Sequence, residues 1–281
     1  MRQFSIKYGN ARHSLSEVDS MAFFENPSGL GIAFEMSMYS PKDGFFLSAR
    51  KKTVQMPIVG TLVFKDHNEA YDIYQEMIPM LMQEEVSLFY KPYQAQSGIS
   101  EYIRDVKLEN ISKGEKKGNW LYCPVSFLPM TPWYQEETQR LTKTETSLIT
   151  IFSNQYAIKG DMGAAISLNA DGAMPLAIQI GRALTADIYS QISIPASSII
   201  ANGTLSFSTD PRNSKALFTS AGTVYDMVER AELESYGSPI FGLMPQSESG
   251  TDYMLLNVIY DNTKTVPEEI KATLTEYWRS V

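Results

Sequence analysis

The order of elements between Pro57 and Trp133 constrains the fold more than any other part of the chain. An apolar segment at residues 58–64 precedes a stretch in which apolar residues recur at spacings of three and four, and this periodicity predicts an amphipathic helix over residues 67–82. Segments that alternate apolar and polar residues predict strands at 86–93, 102–108 and 120–127. One helix among several strands indicates a mainly β, α+β domain whose helix docks on a sheet.

The predicted helix has recognisable start and stop signals. Asp66 followed by Glu69 forms a capping box, which satisfies the free N–H groups of a first helical turn. Pro79 lies inside the apolar pattern and predicts a kink or a shortened last turn, because proline cannot donate a helical hydrogen bond.

A hairpin is predicted upstream of the helix, over residues 31–50 and continuing through 58–66. Residues 39–44 carry turn chemistry, with Asp43-Gly44 as the strongest signal. The segment 31–57 is too apolar for an arm that is free in water. We therefore predict that it is buried against another subunit, with an interface formed by Met36, Met38, Phe45, Phe46 and Met56.

Beyond Trp133 the character of the chain changes. The polar segment 135–147 shows no apolar periodicity and is predicted to link a domain at 1–134 to a second domain at 148–281. The end of the chain, 268–281, combines a good helix start after Pro267 with strand-favouring Thr and aromatic residues, and we predict a strand. Strand segments about ten residues apart predict an antiparallel β-sandwich or jelly roll in the second domain. These segments are 148–152, 156–159, 163–169, 175–182, 185–194, 203–208, 215–219, 222–228, 239–243 and 252–260.

The charge of the chain argues against specific nucleic-acid binding. The formal net charge is −8, and residues 135–281 hold 10 Lys and Arg against 17 Asp and Glu. Such a chain does not offer the basic stripe that nucleic acids require. The clusters at residues 50–52 and 113–117 are short and are interpreted as solvated loop charges. We expect no membrane span and no signal peptide, so the protein is predicted to be cytoplasmic where it is made.

Catalytic and metal-binding patterns are not found, and the chain is predicted not to be an enzyme and to need no cofactor. Cys123, the only cysteine, is predicted to lie mid-strand on the same buried face as Leu121, Val125 and Phe127. Two histidines and one cysteine are too few for a His/Cys metal site. Residues 169–172 resemble a calcium loop but lack its closing Glu, which favours a turn between strands. The glutamate pairs at 136–137 and 232–234 are interpreted as solvated.

Tyrosines in the second domain leave two interpretations open. Aromatic side chains on a sandwich face can stack on sugars, and they can equally fill a core or a subunit interface. The candidates are Tyr189, Tyr225, Tyr236 and Tyr253.

Several segments, taken together in their order and spacing, resemble one protein family. They are residues 4–10, 27–31, 60–64 and 120–133, which ends in Met130-Thr-Pro-Trp133, and in the second domain 202–207 and 239–243. The chain resembles siphophage distal tail proteins, the Dit-like baseplate hub family, and residues 246–252 depart from the family pattern.

The resemblance implies a virion structural protein at the tail tip of a siphophage or prophage. Six copies would form a ring, with the N-terminal domain as its wall and an extended hairpin gripping the neighbouring subunit. The C-terminal domain would be a galectin-like β-sandwich that projects outward as a carrier for a receptor-binding protein. The tail tube protein would dock on one side of the ring and the tail-tip (Tal-like) protein on the other. The alternatives are a carbohydrate-binding module that recognises a host cell-wall glycan and a tail-tip hydrolase.

Overall fold

The computed structural model describes residues 3–16, 20, 22–31, 33–39, 48–54, 56–65, 70–84, 86–92, 101–142, 149–152, 164–182, 188–210, 212–227, 232–235, 254–261 and 263–278. The chain forms two compact units. The first contains Met1–Gln135 together with Trp278–Val281, and the second contains Glu136–Tyr277.

In its described residues, the first unit consists of strands and one α-helix. Its helix is α1 (Ala70–Leu81). Its strands are β1 (Gln3–Tyr8), β2 (Ala11–Ser14), β3 (Ala22–Ser28), β4 (Ala33–Tyr39), β5 (Ser48–Val54), β6 (Ile58–Phe64), β7 (Val86–Lys91), β8 (Tyr102–Ile111), β9 (Lys116–Lys117), β10 (Trp120–Pro129) and the start of β11 (Trp133–Thr142). The predictions of a mainly β fold with one helix and of strands following that helix are confirmed; β1, β2 and β3 were not predicted.

Antiparallel pairing gives the first unit a sheet in the order β2–β1–β7–β8–β10–β6–β3. The two edges of this sheet are tied together, because the amide of Phe24 in β3 donates to the carbonyl of Leu15 after β2 over 3.0 Å. The sheet therefore curls around its own apolar face.

The helix covers one side of that core. Ala70, Met77 and Leu81 are buried, and the ring of Tyr74 lies edge to face with Phe64 of β6 at 5.7 Å between centroids. The helix runs two residues past Pro79 before it ends. The proposed capping residues Asp66 and Glu69 lie outside the described residues.

Strand β10 confirms the prediction made from its alternation. Leu121, Cys123, Val125 and Phe127 are all buried on the face that packs into the core. A strand with one face on the core and one face outward shows the alternation that the sequence contains.

Residues 135–142 of the predicted linker belong to strand β11. Two exposed side chains of this part of the strand form polar pairs with distant residues. Thr138 bonds Thr273 over 2.9 Å, and Arg140 pairs with Glu269 over 3.2 Å. Because these partners lie far away in sequence, the segment has no local periodicity to reveal it. Residues 143–147 lie outside the described residues.

The second unit is an antiparallel β-sandwich. One sheet has the order β18–β17–β16–β13–β21–β11 and the other β12–β20–β14–β15–β19. Both sheets contribute side chains to one core, including Ile166 and Leu274 from the first and Ile178 and Val258 from the second. The strands are β12 (Ile149–Phe152), β13 (Ala164–Gly172), β14 (Ala177–Arg182), β15 (Ile188–Ser193), β16 (Gly203–Ser208), β17 (Lys215–Ser220), β18 (Thr223–Asp226), β19 (Glu232–Ser235), β20 (Met254–Ile259) and β21 (Glu269–Trp278).

The sandwich prediction is confirmed, and so is the strand predicted at the end of the chain, which is β21. The turn predicted at residues 169–172 is wrong, because these residues complete β13, where Asp171 accepts a hydrogen bond from Thr204 of β16 over 2.7 Å. The segments 156–159 and 239–243 lie outside the described residues. The galectin-like character of the sandwich stays a prediction.

Candidate subunit interface

The predicted hairpin is present as the antiparallel pair β4–β5. Its register runs from Ala33 opposite Val54 to Tyr39 opposite Ser48. The two strands form a sheet of their own, to which no third described strand is added. A two-stranded sheet alone is marginally stable in water, so its stability depends on packing against another surface.

The predicted interface residues fall on or beside this hairpin. Met36 lies opposite Lys51 in the register, and Met38 lies opposite Ala49. Met56 follows β5 and is 37% exposed. Phe45 and Phe46 lie outside the described residues. The cluster at residues 50–52, interpreted from the sequence as loop charges, is part of strand β5.

Beside the hairpin base, the outward side of the sheet carries exposed apolar side chains that the sequence reasoning missed. Val59 of β6 is 40% exposed, Leu128 of β10 is 45% exposed and Met130, just after β10, is 52% exposed. Val59 is paired with Ser126, two residues before Leu128, so the two apolar side chains are diagonal neighbours on the same face. We call Val59, Leu128 and Met130 the outer apolar patch.

A signal for this patch exists in the sequence. The buried residues of β10 occupy odd-numbered positions from Leu121 to Phe127, whereas Leu128 and Met130 occupy even-numbered positions. The alternation that predicts β10 therefore also places Leu128 and Met130 on the outward face. Several apolar residues in the outward phase of neighbouring strands make this surface a candidate for a protein contact.

The turn that presents Met130 is held firmly by β8. The amide of Met130 donates to the carbonyl of Asp105 over 2.8 Å. Thr131 bonds β8 twice, accepting at its carbonyl from Arg104 Nε over 2.9 Å and at its hydroxyl from the Asp105 amide over 3.0 Å. These bonds hold the backbone of the turn at Met130 against β8.

Trp133 and Arg104 explain the rest of the Met130-Thr-Pro-Trp133 motif. Trp133 is fully buried, and the guanidinium of Arg104 lies over its ring at 5.2 Å. Arg104 is itself buried, and burial lowers the pKa of its guanidinium to about 10. Among the described residues its Nη1 has no hydrogen-bond partner. The motif therefore anchors the turn in the core.

A second group of exposed rings lies near the β9–β10 turn. Trp120 stacks on Phe23 at 6.0 Å, and Lys65 lies over Phe23 at 4.0 Å. Lys113 lies over the ring of Tyr71 at 4.5 Å. Lys113, which the sequence analysis interpreted as a solvated loop charge, thus covers an aromatic face, as Lys65 also does.

The candidates for chemistry are placed as follows. Cys123 is buried, and burial raises the pKa of its thiol. Within the described residues, no three His, Cys, Asp or Glu side chains come together in an arrangement that could hold a metal ion. Where the structure is described, none of its helices has the length and apolar character needed to cross a membrane. Tyr225 is half-buried against the sandwich core.

Comparison with known proteins identifies the first unit by sequence. Residues 8–130 match the family described as distal tail protein, N-terminal domain. No curated protein sequence matches the chain.

Solved structures extend the likeness to the whole chain at the level of the fold. A chain of the phage p2 baseplate in its activated conformation with Sr matches with a TM-score of 0.64 and 13% identity, covering 100% of both chains. The Dit protein of phage SPP1, described as a hub of the adsorption apparatus in phages that infect Gram-positive hosts, matches with a TM-score of 0.60 and 10% identity over 97% of this chain and 98% of its own. Residues 8–130 therefore match the distal tail protein N-terminal domain, and the chain has over its whole length a fold similar to that of the solved p2 baseplate and SPP1 Dit chains.

Proposed function

We propose that this protein is a non-enzymatic hub of a siphophage or prophage tail tip, in which six copies close into a ring. The proposal is supported by the distal tail protein domain at residues 8–130 and by the β4–β5 hairpin, a two-stranded sheet that needs a surface to pack on. The hairpin is the single observation that carries it.

The contact within the ring is head to tail. The β4–β5 hairpin of one subunit packs on the outer apolar patch of the next, burying Met36 and Met38 against Leu128 and Met130 of the neighbour. Two different surfaces that complement each other generate a ring when the rotation closes. The hairpin and the patch both lie in the first unit, so this unit forms the ring wall.

The ring joins other parts of the virion. The tail tube protein docks on one side and the tail-tip (Tal-like) protein on the other, and the sandwich serves as the carrier for a receptor-binding protein. In this proposal the protein is made in the host cytoplasm and lies at the tail tip of the virion.

Sedimentation velocity of the purified chain tests the proposed contact. Six chains of 31.6 kDa give a particle of about 190 kDa, which we expect to form as the protein concentration rises. The double variant Leu128→Asp with Met130→Asp should remain at the mass of one chain, because two carboxylates cannot be buried in an apolar contact without a partner.

Val224→Asp is the matched control, since Val224 is 58% exposed and belongs to the second unit, which is not part of the proposed contact. This variant should assemble as the wild type does. Assembly of the Leu128→Asp, Met130→Asp variant at the wild-type concentration would overturn the proposed contact. Tryptophan fluorescence of each variant verifies that the first unit is folded.

A further inference from the structure

A polar depression lies on the outward face of the sandwich, in the sheet that contains β13, β16, β17 and β21. Its volume is about 150 Å³. Leu205 and Phe207 of β16 are buried in the core. Ser206 lies between them and therefore faces outward, into the depression. The depression belongs entirely to the second unit.

Register places its lining residues in two neighbouring rows across the sheet. In the first row Thr273, Ser167, Ser208 and Lys215 follow one another on four adjacent strands. Ser167 and Ser208 bond each other through their hydroxyls over 2.8 Å. The floor of the depression therefore consists of short side chains that carry hydroxyl groups, and the long cationic side chain of Lys215 lies at the end of the row.

The second row runs through Lys271, Asn169 and Ser206. Lys271 and Lys215 stand at opposite ends of the two rows, with the short side chains between them. Asn213 completes the polar rim. Hydroxyl and amide groups that are both donors and acceptors match the hydroxyls of a sugar or another polyol.

The charge of the depression is opposite to that of its surroundings. Its lining contains two lysines and no Asp or Glu. The unit as a whole, Glu136–Tyr277, holds 9 Lys and Arg against 17 Asp and Glu. The ammonium groups of Lys215 and Lys271 attract an anion into the depression. The acidic residues of the rest of the unit disfavour anion binding elsewhere.

We propose that this face of the sandwich binds an anionic polyhydroxylated polymer, whose repeating units carry hydroxyl groups together with a phosphate or a carboxylate. The two lysines contact the anionic groups of successive units, and the serine, threonine and asparagine side chains bond the hydroxyls between them. This binding is independent of the ring: it uses the second unit, and the proposed ring contact uses the first.

Isothermal titration of the full chain tests the proposal with four hexameric probes. Hexagalacturonate and a glycerol phosphate hexamer carry both hydroxyls and anions, maltohexaose carries hydroxyls alone, and hexaglutamate carries anions alone. At least one of the first two should bind about tenfold more tightly than maltohexaose and hexaglutamate. The tighter of the two identifies the anionic group.

Three variants locate the binding. The double variant Lys215→Gln, Lys271→Gln should lower the affinity for the anionic polyol about tenfold or more. Lys264→Gln changes an exposed lysine of the same unit outside the depression and should leave that affinity unchanged. Ser206→Tyr keeps both lysines but fills the floor, and it should also abolish binding. All variants should sediment as the wild type does, which separates this proposal from the ring.

Three results would each overturn the proposal: no heat from either anionic polyol, hexaglutamate binding as tightly as they do, or a loss with Lys264→Gln equal to that of the double variant.

Discussion

Substitution of Gly29 by alanine should destabilise the first unit strongly, because this residue lies where the two ends of the hairpin pass each other. Gly29 follows β3 on the way into β4, and Pro57 follows β5 on the way into β6. A Cβ at Gly29 would lie 1.9 Å from the carbonyl oxygen of Pro57, so the backbone on one side must move.

The magnitude has two parts. The φ of Gly29 is +85°, and a left-handed conformation costs an L-residue about 1–2 kcal/mol. Moving backbone out of a clash in packed structure adds about 1–3 kcal/mol. Gly29→Ala should therefore lose about 2–5 kcal/mol of unfolding free energy, a large part of the 5–15 kcal/mol that holds a typical domain.

Gly9→Ala is the matched control for the conformational part. Its φ is +53°, and no atom lies within 4 Å of its added Cβ, so it should lose only the left-handed cost of about 1–2 kcal/mol. Urea unfolding followed by tryptophan fluorescence measures both variants. The three tryptophans, Trp120, Trp133 and Trp278, all belong to the unit that contains Gly29. If Gly29→Ala lost no more stability than Gly9→Ala, the close approach at the hairpin base would be refuted.

Three further predictions concern buried polar groups. Arg104→Met should leave the urea midpoint of the first unit unchanged or raise it. Burying a guanidinium that has no carboxylate partner among the described residues costs more than its bond to Thr131 and its contact with Trp133 return. A loss above about 2 kcal/mol would contradict this. Burial alone would raise the pKa of the Asp210 carboxyl, but the hydrogen bonds and charge of Arg212 hold that pKa below its usual value. Because the folded pKa is the lower one, the pair stabilises the sandwich above the unfolded pKa of about 3.9 and loses this contribution as the pH falls through the folded pKa. Arg212→Ala should cost about 3 kcal/mol at pH 7, seen as faster amide hydrogen exchange in β16, and the cost should shrink in acid; a cost that does not change with pH would contradict the pairing. Cys123 should react with a thiol reagent only at the rate of unfolding, and fast labelling of the native protein would show that the β10 face is not closed.

The parts of the fold that could be predicted are those whose burial leaves a local pattern. Helix α1 follows from a stripe of apolar residues at helical spacing, and β10 follows from the alternation of Leu121, Cys123, Val125 and Phe127. In both elements the residues that face the core are close together in the sequence, so the apolar residues recur with the period of a helix or a strand.

The second half of β11 could not be predicted, because polar pairs hold it to residues more than 120 positions away in β21. Strand β19, with the sequence Glu-Leu-Glu-Ser, could not be predicted either, because a short polar strand acquires its conformation by pairing with its neighbour β15. Only one part of the candidate interface could be predicted from the sequence, the apolar hairpin. Val59, Leu128 and Met130 come together as a patch only through the pairing of β6 with β10.

Electron microscopy of the purified chain at high concentration is the most direct test of the proposed hub. Class averages should show closed particles with six-fold symmetry, in which the first units form the continuous wall. Monomers at every concentration, with and without a tail tube protein, or a closed particle whose wall is made by the sandwiches, would contradict the account.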